Sequence, residues 1–248
     1  MSSEVLEIYI NSRTASQYYD GMISNALYTL PHIEIKQDEK AYVCIKNAVI
    51  PYSFYNINNT NNELNYLLNG ASLSITLVNG NYNINTLRAH IVELLGANWS
   101  ITYIAKTNKL EFTHTVHNFS FLSSSTCFEL IGFIDDVTYA SISRYLISNI
   151  SINLFTIKNI YVCSDNFILN NVDSNNHNKS NIICSVPVNG SVNSILFYND
   201  KSKHLVHKLT NITNFKLTLT DEDGALIDFN NVNYSITIEI TIEKIKLN

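Results

Sequence analysis

Apolar and polar residues alternate with a period of two along most of the chain. In "SITIEITIE" (235–243), Ile236, Ile238, Ile240 and Ile242 share one face, and Ser235, Thr237, Glu239, Thr241 and Glu243 share the other. That is the pattern of a half-buried antiparallel strand. Beyond it, Ile245 and Leu247 carry the apolar positions one residue late, which predicts a bulge near Glu243-Lys244. "FKLTLT" (215–220) sets Phe215, Leu217 and Leu219 against Lys216, Thr218 and Thr220. Similar runs predict strands over about 4–10, 25–36 and 41–50, and again over about 152–163, 181–188, 193–199, 210–220 and 233–246. The prolines, Pro31, Pro51 and Pro187, fall at or near strand ends, where a missing N–H is tolerated.

One stretch departs from this period. In "NYNINTLRAHIVELLG" (81–96), Leu87, Ile91 and Leu94 form a helical stripe, with Asn85 as the predicted N-cap and Gly96 at the C-terminal cap. A second short helix is predicted from Thr126, which has capping-box spacing to Glu129 and precedes the apolar "FELIGF". With the strand patterns around them, residues 60–137 read as a small α+β unit bounded by the loop-like "NINNTNNE" and "DDVTYASIS". The three strands before it cannot close a pair of sheets without those after it. The expected fold is therefore all-β: an eight-stranded antiparallel jelly-roll β-sandwich. Residues 1–59 and 138–248 form the sandwich, and 60–137 form an insertion between the third and fourth strands.

Composition narrows the function classes. Of 248 residues, 46% are hydrophobic, only 15% are charged and 36 are asparagine, so neutral amides must cover much of the surface. The formal net charge is -5 and no basic block is visible, which argues against a nucleic-acid surface. No run approaches the roughly 18 apolar residues of a membrane span, and the N-terminus does not read as a signal peptide. Cys44, Cys127, Cys163 and Cys184 are scattered through apolar segments and are expected to be buried, reduced thiols. Eight N-x-S/T sequons, such as Asn98-Trp99-Ser100 and Asn118-Phe119-Ser120, are expected by chance in a chain this rich in Asn.

Candidate chemistry is sparse. His114–His117 and His204–His207 each have H-x-x-H spacing, but residues three apart on a strand point to opposite faces, so the first pair is not expected to share a metal. Cys127 with His117 is the nearest Cys/His pair, and Cys127 opens an apolar run. Glycine patterns for phosphate binding and G-x-S-x-G are absent. Asp135-Asp136 is one acidic cluster, without groups nearby expected to shift a pKa. The other, Asp221-Glu222-Asp223, precedes Gly224, but the spacing fails the calcium-loop template, because the twelfth residue is Val232. Between "LTLT" and "ALIDF" these residues read as a turn joining the last two strands. No catalytic, cofactor-binding or metal-binding residue is expected, and the chain is not expected to be an enzyme. A β-sandwich hydrolase finds no nucleophile and base here. Tyr18, Tyr19, Tyr52, Phe54 and Tyr55, if exposed, suit subunit contacts. Trp99 is the residue on which a glycan-binding reading would rest, and Arg13–Gly21 reads as an arm that could reach a neighbour.

Several segments, taken in order, resemble capsid-associated proteins of virophages, polinton-like viruses and related large DNA viruses of protists. They are "VCIKNAVIPYSFYNIN" (43–58), "ITLVNGNYNINTLRAHIVELL" (75–95), "FELIGF" (128–133) and "LTLTDEDGALIDFNNVNYSITIEI" (217–240). Asn233-Tyr234 stands where the family pattern has Asp-Trp. The resemblance implies a virion protein made in the host cytoplasm. Within that family the expected role is the penton protein, a homopentamer at icosahedral fivefold vertices touching the major capsid protein and other minor capsid proteins. The alternatives are another minor capsid or cement protein, or a glycan-binding module contacting a host-surface glycan or receptor. No cofactor is implied.

Overall fold

The computed structural model describes residues 3–167, 169, 181–200, 202–206 and 211–245. The chain opens with strands Ser3–Asn11 (β1), Gln17–Tyr19 (β2), Met22–Glu34 (β3) and Glu39–Pro51 (β4). The middle holds Glu63–Leu68 (β5), Ala71–Thr76 (β6), helix Ile84–Leu95 (α1), Trp99–Ile104 (β7), Lys109–His114 (β8), Phe119–Phe121 (β9), helix Phe128–Ile131 (α2), Tyr139–Ala140 (β10) and Tyr145–Ile147 (β11). Strands Asn159–Cys163 (β12), Ile182–Pro187 (β13), Ile195–Tyr198 (β14), His204–Val206 (β15), Asn211–Thr220 (β16) and Ser235–Lys244 (β17) follow. By their contacts, residues 1–54 and 157–248 form one compact unit and 55–156 another.

In the first unit the strands make two antiparallel sheets. One runs β1-β17-β4, with β14 on Ala48–Pro51 and β15 on Ala41–Val43, one after the other along the far edge of β4; the other runs β13-β12-β16-β3-β2. The chain thus crosses repeatedly between the sheets, and the last strand, β17, lies between β1 and β4. This is the interleaved order of a jelly roll. Inward residues of both sheets, among them Ile45, Ile50, Ile238 and Ile240 from one and Val162, Phe215 and Leu217 from the other, form a single core.

Several local expectations are corrected. The strand expected over 193–199 is the shorter β14, and a further strand, β15, which the pattern did not predict, pairs with another part of β4. Pairing of β17 with β4 continues through Lys244↔Glu39, and its register shift lies at Thr237/Ile238 rather than at Glu243-Lys244. Lys46 is the extra residue there, between the Thr237↔Asn47 and Ile238↔Ile45 pairs. Nor is β17 half-buried: Thr237 and Thr241 on its polar face are also buried. The strand is central, and side chains from beyond it, such as Lys203 bonded to Thr241 Oγ1 (2.7 Å), cover that face. Thr210, Lys246 and Leu247 lie outside the described residues.

The second unit has sheets β10-β9-β5-β6 and β11-β8-β7. The β5–β6 hairpin turns at Asn69-Gly70, both at positive φ (51° and 82°), the geometry that favours Asn-Gly in a two-residue hairpin. Asn83, not Asn85, caps α1: its Oδ1 accepts from the N–H groups of Asn85 and Thr86, and Thr86 Oγ1 accepts from Asn83 N–H in return. Leu87 and Ile91 are buried as the stripe predicts, but Leu94 is exposed and Leu95 makes the contact instead. Gly96 ends the helix with its N–H on Val92 O. Thr126 does not cap α2, because its Oγ1 accepts from Glu63 N–H (3.0 Å) and the helix starts at Phe128. Gly132 follows at φ 86°, where a Cβ would sit 2.6 Å from Ile150 O. Phe112, Phe121, Phe128 and Phe133 fill the centre of this unit. Ile152 and Leu154 pack against the same core, which carries the unit past the sequence boundary at 137.

Candidate functional site

The histidines are brought together more closely than a continuous strand allows. β8 ends at His114 and the chain turns, so the His114 and His117 rings stack on one side, centroids 5.7 Å apart; the expectation of opposite faces is corrected. His114 is only 3% exposed. Its Nδ1 accepts from the N–H groups of Val116 (3.2 Å) and His117 (2.8 Å), so that nitrogen is occupied by the backbone. His204 pairs with Val43 in β15, and His207 lies outside the described residues. Among the described residues no group of three or more His, Cys, Asp or Glu is gathered for a metal ion. All four cysteines are buried and none forms a disulfide. Burial pushes the Cys127 thiol up to about 12, which keeps it protonated and a poor nucleophile.

The acidic cluster is a turn with a lock. Asp221 Oδ1 accepts from the N–H groups of Asp223 (3.0 Å) and Ala225 (2.8 Å), and Asp221 N–H donates to Ala225 O (2.9 Å). Glu222 Oε1 reaches across to the N–H groups of Lys158 (2.9 Å) and Asn159 (2.8 Å). The chain reverses locally, bridging Thr220 to Leu226, but it then crosses to the other sheet to begin β17; it is not a hairpin between the last two strands. Both clusters do have shifted carboxyls, against expectation. Burial raises Asp135, with Asp136 adding to it, and burial raises Asp221 against its two backbone hydrogen bonds. A raised carboxyl binds its proton more readily in the folded state. This contribution to stability therefore grows as pH falls from neutral through the folded pKa, and levels off below about 3.9. Asp221→Asn keeps the acceptor and removes the buried charge, so its melting temperature at pH 7 should equal or exceed wild type. Asp221→Ala should lose about 1–2 kcal/mol, and a chelator should move neither melting curve.

The expected aromatic surface is only partly a surface. Phe54 is buried, stacked on Tyr52 (4.5 Å) and edge-on to Phe229, while Tyr18 and Tyr55 are exposed. Trp99 is 5% exposed and packs on Phe119 and His114, which removes it as a glycan platform. Arg13–Gly21 is not a loose arm. It contains β2, which pairs with β3, and Tyr18 Oη donates to Ser12 O.

Sequence reasoning missed the outward face of the β1-β17-β4-β14 sheet. Tyr9 is 76% exposed and Phe197 74%, with Val5 and Ile195 exposed beside them on their strands. In register, Tyr9 lies opposite Thr237, and Phe197 opposite Val49. Glu7 and Glu239 also face each other directly, an unfavourable pair. It is neutralised by Lys46 on Glu7 and by Lys203 on Glu239 (3.1 Å). The Lys46 hydrogen bond, with a second from Tyr9 Oη, holds the Glu7 carboxyl below its ordinary value. The face is thus charge-balanced and carries exposed aromatic and aliphatic groups. The one signal was "SILFY", apolar in both phases, which marks a strand wanted on two sides but cannot say which side is free.

No protein-family model matches the sequence, and no curated protein sequence matches it. Solved structures do match. A chain of the cryo-EM structure of the Sputnik virophage aligns over 98% of both chains, at 12% identity and a TM-score of 0.42. The crystal structure of the mavirus penton protein aligns over 99% of this chain and 100% of its own, at 12% identity and a TM-score of 0.50. The motif resemblance and the interleaved sheets therefore meet in one result: end to end, this chain has the fold of the mavirus penton protein.

Proposed function

We propose that this chain is a non-enzymatic capsid protein, the vertex protein of an icosahedral particle, assembling as a homopentamer that contacts the major capsid protein. The observation that carries this reading is the jelly-roll order together with the end-to-end likeness to a penton protein. The chemistry agrees: buried thiols, a histidine pair whose acceptor nitrogen is occupied, and carboxylates used as turn locks. The outward face of the β1-β17-β4-β14 sheet is the self-association surface in this proposal. Its charges are internally paired, so two copies can meet without like-charge repulsion, and exposed aromatics are the residues that carry interfaces.

Mass photometry of the purified protein tests this. The expected result is a species of five chain masses. Phe197→Ser should weaken it by about 30-fold, the effect of losing a 2 kcal/mol anchor, and should leave the melting temperature of the dissociated chain unchanged. A strict monomer at high concentration, absent from purified particles, would overturn the reading. Density in a particle reconstruction lying off the fivefold axis would assign the chain to a different minor capsid position.

A further inference from the structure

His114 links two turns whose other anchors lie at their ends: Thr115 N–H on Asn98 O (2.9 Å), and the reciprocal backbone bonds of Ile142 and Tyr145 (2.9 and 3.1 Å). Its Nδ1 is the acceptor for the N–H groups of Val116 and His117, so the neutral ring carries its proton on Nε2. The Thr115–Asn118 turn made this way holds a second turn in place. Asn118 Oδ1 accepts from Arg144 N–H (2.7 Å), and Thr115 O accepts from the Arg144 guanidinium. Ser143 and Arg144, neither a glycine, both lie at positive φ (52° and 70°). That conformation persists only where surrounding bonds enforce it. Ile142, at the start of this turn, is 81% exposed.

We infer that His114 is an acid-sensitive latch: a proton on Nδ1 removes the shared acceptor of two backbone N–H groups and loosens the Thr115–Asn118 turn together with its contacts to Arg144. The surroundings make that proton unwelcome in a graded way. The charged groups acting on His114 are His117 and Arg144, both basic. Trp99, packed edge-to-face on it from β7 at 5.0 Å, is uncharged. The nearest acid on its own strand, Glu111, is engaged by Tyr145 Oη (3.0 Å). Attraction between an imidazolium and the Trp99 ring opposes release, but it supplies no acceptor to the two N–H groups. Burial, then His117, holds the His114 pKa below its ordinary value. A base with a lowered folded pKa contributes stability that is present above the unfolded pKa of about 6.5 and lost as pH falls from there through the folded value.

The chain has one tryptophan, and it touches the latch. On lowering pH from about 7.5 to about 5, Trp99 emission should change. The protection factors of the Val116 and His117 amides, referred to the intrinsic rates at each pH, should fall about tenfold, the equivalent of one net hydrogen bond. His114→Asn places a non-titrating acceptor near Nδ1 and should abolish both responses. His117→Gln removes a like charge and should move the transition to higher pH. Identical pH profiles for wild type and a folded His114→Asn would overturn the inference. Should that variant not fold, NMR titration of His114 in the wild-type protein decides: a midpoint below 6.5 that tracks amide exchange supports the latch, and one at or above 6.5 overturns it.

Discussion

Phe121→Ala should lower the melting transition of the middle unit while leaving that of the sandwich in place, and Phe215→Ala should do the reverse. Phe121 is fully buried, edge-on to Phe112 (4.9 Å) and Phe133 (5.6 Å). Phe215 is fully buried against Phe167 (5.5 Å). Truncating a buried aromatic to Ala costs about 3–5 kcal/mol, a large part of the ~5–15 kcal/mol that holds a domain together. Each kcal/mol moves the melting temperature by roughly 4–8 °C for a domain near 100 residues, as the middle unit is, and by roughly 2–4 °C for a larger one such as the sandwich, so Phe121→Ala should lower its transition by more than about 12 °C and Phe215→Ala by more than about 6 °C. The two cores share no residue, which is the basis for expecting two transitions. Trp99 reports on only one of them. Its emission should follow the lowered transition in Phe121→Ala and stay at the wild-type temperature in Phe215→Ala. A single transition displaced equally by both variants would show that 55–156 and the rest fold as one cooperative unit.

What the sequence disclosed follows from the range of each interaction. The β17 alternation, the Gly96 cap and the local reversal at Asp221–Gly224 are written within a few residues, and they were legible. The burial of Thr237 and Thr241 was not, because it depends on Lys203 and on strands β1 and β4, which are close to β17 only in the fold. Asn83 and Asn85 are equally good caps by type; the reciprocal bond from Asn83 N–H to Thr86 decides between them. Trp99, Phe54 and Phe197 illustrate the same limit for the candidate site. Composition supplies aromatic groups, but only the sheet register decides that Trp99 and Phe54 face a core and Phe197 faces outward. His114 was read as a strand residue, and the turn that stacks it on His117 begins one residue later.

Tyr234→Ala should cost about 3–5 kcal/mol, a large effect for a residue just outside the regular pairing of the sheet. It lies where the chain, having crossed from β16, enters β17. Its N–H donates to Ser12 Oγ (3.1 Å), its C=O accepts from Ser12 N–H (3.0 Å), and Ser12 Oγ donates to Asn233 Oδ1 (2.9 Å). Its ring packs on Phe229, and its hydroxyl donates to Ile23 O (3.0 Å) beside Tyr28 Oη. One side chain thus ties the start of β17 to β3, while its backbone ties it to the end of β1. Tyr234→Phe keeps the ring and strands Ile23 O, and should cost about 1–2 kcal/mol. Tyr234→Trp puts a larger ring in a site closed around a smaller one, and should cost about 1–3 kcal/mol by overpacking. Burial raises the Tyr234 pKa well above its ordinary value. The stability this gives is fully present below the unfolded pKa of about 10 and is lost as pH rises through the folded value. Denaturant midpoints at pH 7 and above pH 10 separate the two contributions. Tyr234→Phe should start lower than wild type and lose less on going alkaline. A phenylalanine variant as stable as wild type at pH 7, with the same alkaline loss, would mean that the ring holds this seam and the hydroxyl does not.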